Sequence, residues 1–107
     1  VPVRDTVSLA EDLIRVLGDD HRAHGPWNPG LDAATLRAGL RTMLLTRAFD
    51  DRMQRTQRQG RITFYVRSYG EEAVSTAAAM ALGERDMLFP SYRNQGLFLV
   101  RGIPLVD

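Results

Sequence analysis

The sequence predicts an α/β fold, mostly helical with short strands, and two patterns carry that expectation. Segments with helical apolar spacing alternate with short β-branched and aromatic runs, in the order helix, extended segment, helix, strand, helix. Gly60, Gly83, Pro90 and Gly102 fall at the ends of these segments, where a chain stops or turns.

In the front piece Val7, Ala10, Leu13, Ile14 and Leu17 keep helical spacing, but Ile14-Arg15-Val16-Leu17 also alternates and runs into Gly18-Asp19-Asp20. The reading adopted is an extended Leu13–Leu17, with a helix as the alternative. Gly25-Pro26-Trp27-Asn28-Pro29-Gly30 then breaks any regular element, so residues 1–30 read as an extension with a Gly/Pro loop and 31–107 as an incomplete main domain. Asp32 offers an N-cap, and Leu36, Leu40, Met43 and Leu44 begin an apolar stripe that drifts towards Phe49 and Met53. This helix should run about 27 residues, or about 40 Å, to a stop at Gly60, with Asp51 and Arg55 paired four apart. A helix of that length calls for further protein to lie against.

Ile62-Thr63-Phe64-Tyr65-Val66 reads as extended, because branched and aromatic side chains suit a pleated surface. Ser68-Tyr69-Gly70-Glu71 has the form of a capping box, and Glu71-Glu72 suits the positive end of a helix dipole. The helix that follows, Ala73 to Leu82, is dominated by small side chains, which allow neighbouring backbones to come close. Met87-Leu88-Phe89 is a short strand candidate stopped by Pro90, Asn94–Arg101 resumes as helix, and Pro104 to Asp107 resembles the start of another element.

With 107 residues the chain fits one domain at most, and 44% hydrophobic with 25% charged residues is ordinary for a globular protein. Fourteen basic residues, all Arg, against thirteen acidic ones leave a net charge of +1, which argues against a nucleic-acid partner. No apolar run approaches the ~20 residues that span a bilayer, so no membrane partner is expected. The absence of Cys and of a secretion-type start makes an intracellular location the expectation.

Chemistry concentrates in Phe89-Pro90-Ser91-Tyr92-Arg93-Asn94-Gln95-Gly96, where a strand end, two hydroxyls and an Arg precede a helix start. Strand ends in α/β sheets and helix starts both favour anionic ligands, and a guanidinium adds a forked donor for phosphate. The plain alternative is that Tyr92 caps a core and Arg93 pairs with a surface carboxylate. Gly60-Arg61-Ile62-Thr63-Phe64-Tyr65 could put an aromatic ring at a pocket wall, although an aromatic ring in an extended run is more often core. His21 and His24 have metal-ligand spacing, but the surrounding glycines and proline disfavour a helix there, and Ser75 and Ser91 lack a G-x-S-x-G setting.

Taken together, Met43 to Met53, Gln57 to Tyr65, Gly70-Glu71-Glu72-Ala73, Phe89 to Gly96 and Gly102-Ile103-Pro104-Leu105 match one family in order and spacing. From about residue 36 to 107 the chain resembles the alpha subunit of the decarboxylating component of branched-chain 2-oxo acid dehydrogenase. The resemblance implies the N-terminal part of a thiamine diphosphate-binding fold. It also implies oxidative decarboxylation of a branched-chain 2-oxo acid, with acyl transfer to a lipoyl group of the acyltransferase core. Ser91, Tyr92 and Arg93 would bind the cofactor's diphosphate, and Phe64 and Tyr92 would line the pocket for the branched substrate. The family's Mg²⁺-holding segment and catalytic His would lie outside this window, and the activating Glu on a beta subunit in an assembly of two alpha and two beta chains. The window would then be inactive alone. Alternatives are a pyruvate or acetoin dehydrogenase alpha subunit, or a non-catalytic interaction module docking through Leu36–Gln59.

Overall fold

In this computed structural model residues 15–105 are described. The chain divides into two compact units, Val1–Leu31 and Asp32–Asp107. In the first unit Leu17 and Ala23 form an isolated antiparallel bridge, closed by bonds from Gly18 N to Arg22 O and from His24 N to Val16 O. The expected extended stretch thus reaches Leu17, while Leu13 and Ile14 lie outside the described residues. The two histidines sit in this turn, not on a helix, and His24 Nε2 contacts the Asp20 carboxylate at 3.0 Å.

The described residues of the second unit contain three helices: α1 (Ala33–Arg58), α2 (Glu72–Ala81) and α3 (Gln95–Val100). Helix α1 begins where expected, because Asp32 Oδ1 accepts from Ala34 N and Thr35 N, both at 2.8 Å. The Thr35 N–H, then the Thr35 hydroxyl and the Ala34 N–H, hold the Asp32 carboxyl below its ordinary range. It ends in a Schellman motif, with Gly60 at φ +71°, Gly60 N bonded to Gln57 O and Arg61 N bonded to Thr56 O. Helix α3 ends the same way around Gly102 at φ +76°.

Three local expectations give way. Glu71, not Ser68, is the residue before α2, and it makes no side-chain cap, because Ser68 is drawn to Asp50. Asp51 pairs with Arg67 at 3.4 Å, while Arg55 donates instead to the Asp51 backbone carbonyl. Neither Ile62–Val66 nor Met87–Phe89 forms a strand, and no strand longer than the isolated bridge occurs among the described residues. A strand needs a ladder partner, and the Gln57 carboxamide takes that place for Tyr65. Oriented to satisfy both groups, it accepts from Tyr65 N at 3.1 Å and donates to Tyr65 O at 3.2 Å. Met87 and Phe89 are exposed. The mostly helical part of the expectation holds, and the short strands do not form. The beginning of a further element at Pro104–Asp107 falls partly on residues 106–107, outside those described.

The three helices meet at a polar seam. Among the described residues the buried apolar side chains are Ala79 and Leu97, against six buried polar ones: Thr46, Asp50, Ser68, Glu72, Ser75 and Thr76. Of the expected apolar stripe of α1, Leu36, Leu40 and Leu44 are all more than half exposed, while Met43, Phe49 and Met53 are partly buried. Small residues bring the helices close, as the sequence of α2 suggested. A Cβ added at Gly96 would lie 3.0 Å from Thr76 Oγ1, 3.3 Å from Thr46 Oγ1 and 3.4 Å from Ser75 Cβ. No helix is long and apolar enough to cross a membrane among the described residues.

The Thr46 hydroxyl cannot swing aside without breaking its 2.8 Å bond to Thr42 O. Gly96→Ala gains about 1 kcal/mol of helix propensity and loses about 1–3 kcal/mol to overpacking. The expected outcome is a lower urea midpoint for the complete subunit; an unchanged or higher midpoint contradicts the tight seam.

Candidate functional site

Two carboxylates organise the corner where α1, α2 and the turn before α3 come together. Asp50, on the inner face of α1, has 0% exposure and receives three donors from the segment after the helix. Tyr65 Oη donates to it at 2.6 Å, Ser68 N at 2.9 Å and Ser68 Oγ at 3.1 Å. Burial first, then the bond to Asp50, pushes the Tyr65 phenol well above its ordinary pKa, so it stays a donor. The Tyr65 ring also meets Phe49 edge to face, with centroids 6.1 Å apart.

Glu72, 3% exposed, opens α2. Its Oε1 accepts from Arg47 Nε at 3.0 Å, and its Oε2 from Gly70 N at 2.9 Å. The Arg47 guanidinium lies 4.6 Å from the centre of the Tyr69 ring. Burial alone would raise the Glu72 pKa, but the backbone N–H at the helix start, Arg47 and Gly70 outweigh it and lower the value.

The turn carrying Ser91, Tyr92 and Arg93 is tied to α2 by Asn94. The Asn94 Oδ1 accepts from Ser91 N at 2.7 Å and from Ser91 Oγ at 2.9 Å, while its Nδ2 donates to Ser75 Oγ at 3.1 Å. The Ser91 hydroxyl is therefore engaged in shaping the turn. Tyr92 is exposed, and its ring meets Phe64 edge to face at 6.3 Å. The Arg93 guanidinium lies 5.5 Å from the centre of the Tyr92 ring and 3.4 Å from Glu71 Oε1, both charged side chains being nearly half exposed. The carboxylate partner considered as the plain alternative for Arg93 is thus present. Phe64, Tyr92 and Arg93 form one continuous exposed surface, although Phe64 and Tyr92 are 28 positions apart.

The strand end expected before Ser91 is absent, and α3 is one six-residue segment whose preceding Asn94 makes no side-chain cap. What the corner offers an anion is the side-chain donor set: a forked guanidinium held by one long contact, beside a phenol. That set suits a diphosphate. Among the described residues no three His, Asp or Glu side chains gather into a metal site. A separate hollow of about 200 Å³, lined by Phe49, Phe98, Leu99, Ile103 and neighbours, is apolar.

The sequence reading gave no role to Asp50, weighed Ser75 only as a nucleophile, and included Asn94 in the Phe89–Gly96 segment without assigning it a part. Asp50 follows Thr46 by four positions on α1, so a polar residue repeating at helical spacing was the available signal. It was masked by the more conspicuous leucines.

The chain belongs to the dehydrogenase E1 component family, whose model matches residues 40–107. It is 52% identical to the 2-oxoisovalerate dehydrogenase subunit alpha of Pseudomonas aeruginosa over 103 residues, covering 96% of this chain and 25% of that one. It is 38% identical to the 3-methyl-2-oxobutanoate dehydrogenase subunit alpha of Mycobacterium tuberculosis over 100 residues, covering 92% and 27%. The mitochondrial 2-oxoisovalerate dehydrogenase subunit alpha of Dictyostelium discoideum is 44% identical over 66 residues, covering 62% and 15%. The chain thus spans about a quarter or less of the length of these relatives. No solved structure matches it.

A carboxyl whose pKa is lowered by folding adds stability above its unfolded value, ordinarily near 4.5, and loses it as pH falls through the folded value. Glu72→Gln in the complete subunit should therefore be less stable than the parent at pH 7. It should also lose less stability between pH 5 and pH 3. Parallel acid limbs in thermal unfolding would contradict this role for Glu72.

Proposed function

We propose that this chain forms part of the alpha subunit of a branched-chain 2-oxo acid dehydrogenase and contributes one wall of its thiamine diphosphate site. Family membership and the alpha-subunit relatives support the assignment. The single observation that carries the local reading is the joined surface of Phe64, Tyr92 and Arg93. The three relatives are named for a 2-oxo acid with a branched chain, which favours this reading over pyruvate or acetoin.

When bound, thiamine diphosphate supplies the electron sink that lets a 2-oxo acid lose carbon dioxide. Arg93 would exchange its long contact with Glu71 for the diphosphate, a better match in charge and fork geometry. Tyr92 would add its hydroxyl to the same group. Ser91 would act through the turn it builds with Asn94, its hydroxyl bond at 2.9 Å being already in use. The Phe64 and Tyr92 rings would line the pocket for the alkyl branch and keep water from it, since apolar walls reward added methyl groups. Mg²⁺, whose ligands would come from elsewhere in the assembly, would share the charge of the diphosphate. A beta subunit, in an assembly of two alpha and two beta chains, and a lipoyl acyltransferase core are the partners this reading requires, with a bacterial cytoplasmic setting.

Arg93→Ala, in the complete assembly, should weaken thiamine diphosphate binding about 10-fold or more, the value of one charge-assisted hydrogen bond. At saturating cofactor kcat should fall much less. Unchanged cofactor affinity in a calorimetric titration removes Arg93 from the site. A panel of 2-oxo acids should give the highest kcat/KM for 3-methyl-2-oxobutanoate or its branched homologues; a preference for pyruvate would overturn the substrate assignment.

A further inference from the structure

Phe64 is a ring with little to hold it. It is 68% exposed, and its ring contact is an edge-to-face approach to the equally exposed Tyr92. Which rotamers an exposed aromatic side chain can adopt depends on the backbone beneath it, so a fixed backbone narrows where its ring can lie. Here the fixing begins at the next residue. Tyr65 is anchored at its hydroxyl by Asp50, along its ring by Phe49, and at both backbone groups by Gln57. Three residues further on, Ser68 gives the same Asp50 carboxylate two more donors. One buried side chain of α1 therefore grips both ends of Tyr65–Ser68, and Phe64 enters that stretch.

We propose that Asp50 is a positioning residue for substrate selectivity: acting through Tyr65, it fixes the Phe64 ring against Tyr92 and so sets the preference for branched over unbranched 2-oxo acids. This rests on the function proposed above. Asp50 itself lies beneath the surface and touches the segment behind Phe64, so its effect reaches substrate through the placement of that ring. A carboxylate with three donors is suited to the task, because charge-assisted bonds are short and directional. Moving it would leave a buried acceptor unpaired.

The test uses the complete assembly loaded with thiamine diphosphate and compares Tyr65→Phe, Asp50→Asn and Phe64→Ala. Each is assayed with 3-methyl-2-oxobutanoate and with pyruvate, and by thermal unfolding. Tyr65→Phe removes one hydroxyl and keeps the ring beside Phe49, so it reads the effect even where Asp50→Asn fails to assemble. Tyr65→Phe should lower the branched-to-unbranched ratio of kcat/KM about tenfold, equivalent to ~1.4 kcal/mol. The loss should lie in KM for the branched substrate, with cofactor affinity within about twofold of the parent. Phe64→Ala should shift the ratio in the same direction.

A Tyr65→Phe enzyme with a lower unfolding temperature and an unchanged ratio, beside a Phe64→Ala enzyme whose ratio falls, leaves Asp50 a purely structural role and overturns the inference alone. If Phe64→Ala leaves the ratio unchanged, or the parent assembly turns over no 2-oxo acid, the functional reading fails and takes the inference with it.

Discussion

A buried carboxylate without donors is among the costliest things a small fold can contain, and the shape of this chain around its site follows from satisfying two of them. Asp50 draws the segment after α1 back along the helix by taking the phenol of Tyr65 and both donors of Ser68. Glu72 draws α1 and the turn at Gly70 together by taking Arg47 and a backbone N–H. The route of the chain from α1 to α2 is thereby fixed at two points, with Phe64 exposed just before the first and Tyr69 exposed between them.

The same constraint explains why the interior is polar and the surface oily. Hydroxyls of Thr46, Ser75 and Thr76 fill a seam where helix backbones approach too closely for large side chains, and Gly96 marks the tightest point. Large apolar residues are left outside: Leu36, Leu40 and Leu44 on α1, and Met87 and Phe89 in the loop after α2. Contiguous exposed leucines at helical spacing are what a helix presents to further protein. The chain spans about a quarter of the length of the Pseudomonas relative.

Much of this was legible from the residues. The cap at Asp32, the stops at Gly60 and Gly102 and the close packing of α2 follow from local rules that hold whatever surrounds them. The motif from Phe89 to Gly96 supplies one side of the corner described above, and the pairing of Phe64 with Tyr92 came from resemblance, since no local pattern joins positions so far apart. What could not be read was where each polar group would find its partner. Ser68 had the spacing of a capping residue, yet a buried carboxylate 18 positions away is a stronger acceptor. Ile62–Val66 had strand composition, yet composition does not supply a neighbouring strand, and Gln57 met the backbone instead. The leucines of α1 had core spacing, which describes the face a helix buries and is silent on which body buries it.

The most direct measurement is the structure of the complete assembly with thiamine diphosphate and a non-reacting branched 2-oxo acid analogue bound. The account predicts the diphosphate oxygens within hydrogen-bond reach of Arg93 and Tyr92, with Arg93 drawn off Glu71 and the alkyl branch resting on Phe64. A diphosphate bound elsewhere, with Arg93 still on Glu71 and Phe64 facing protein or solvent, would contradict it.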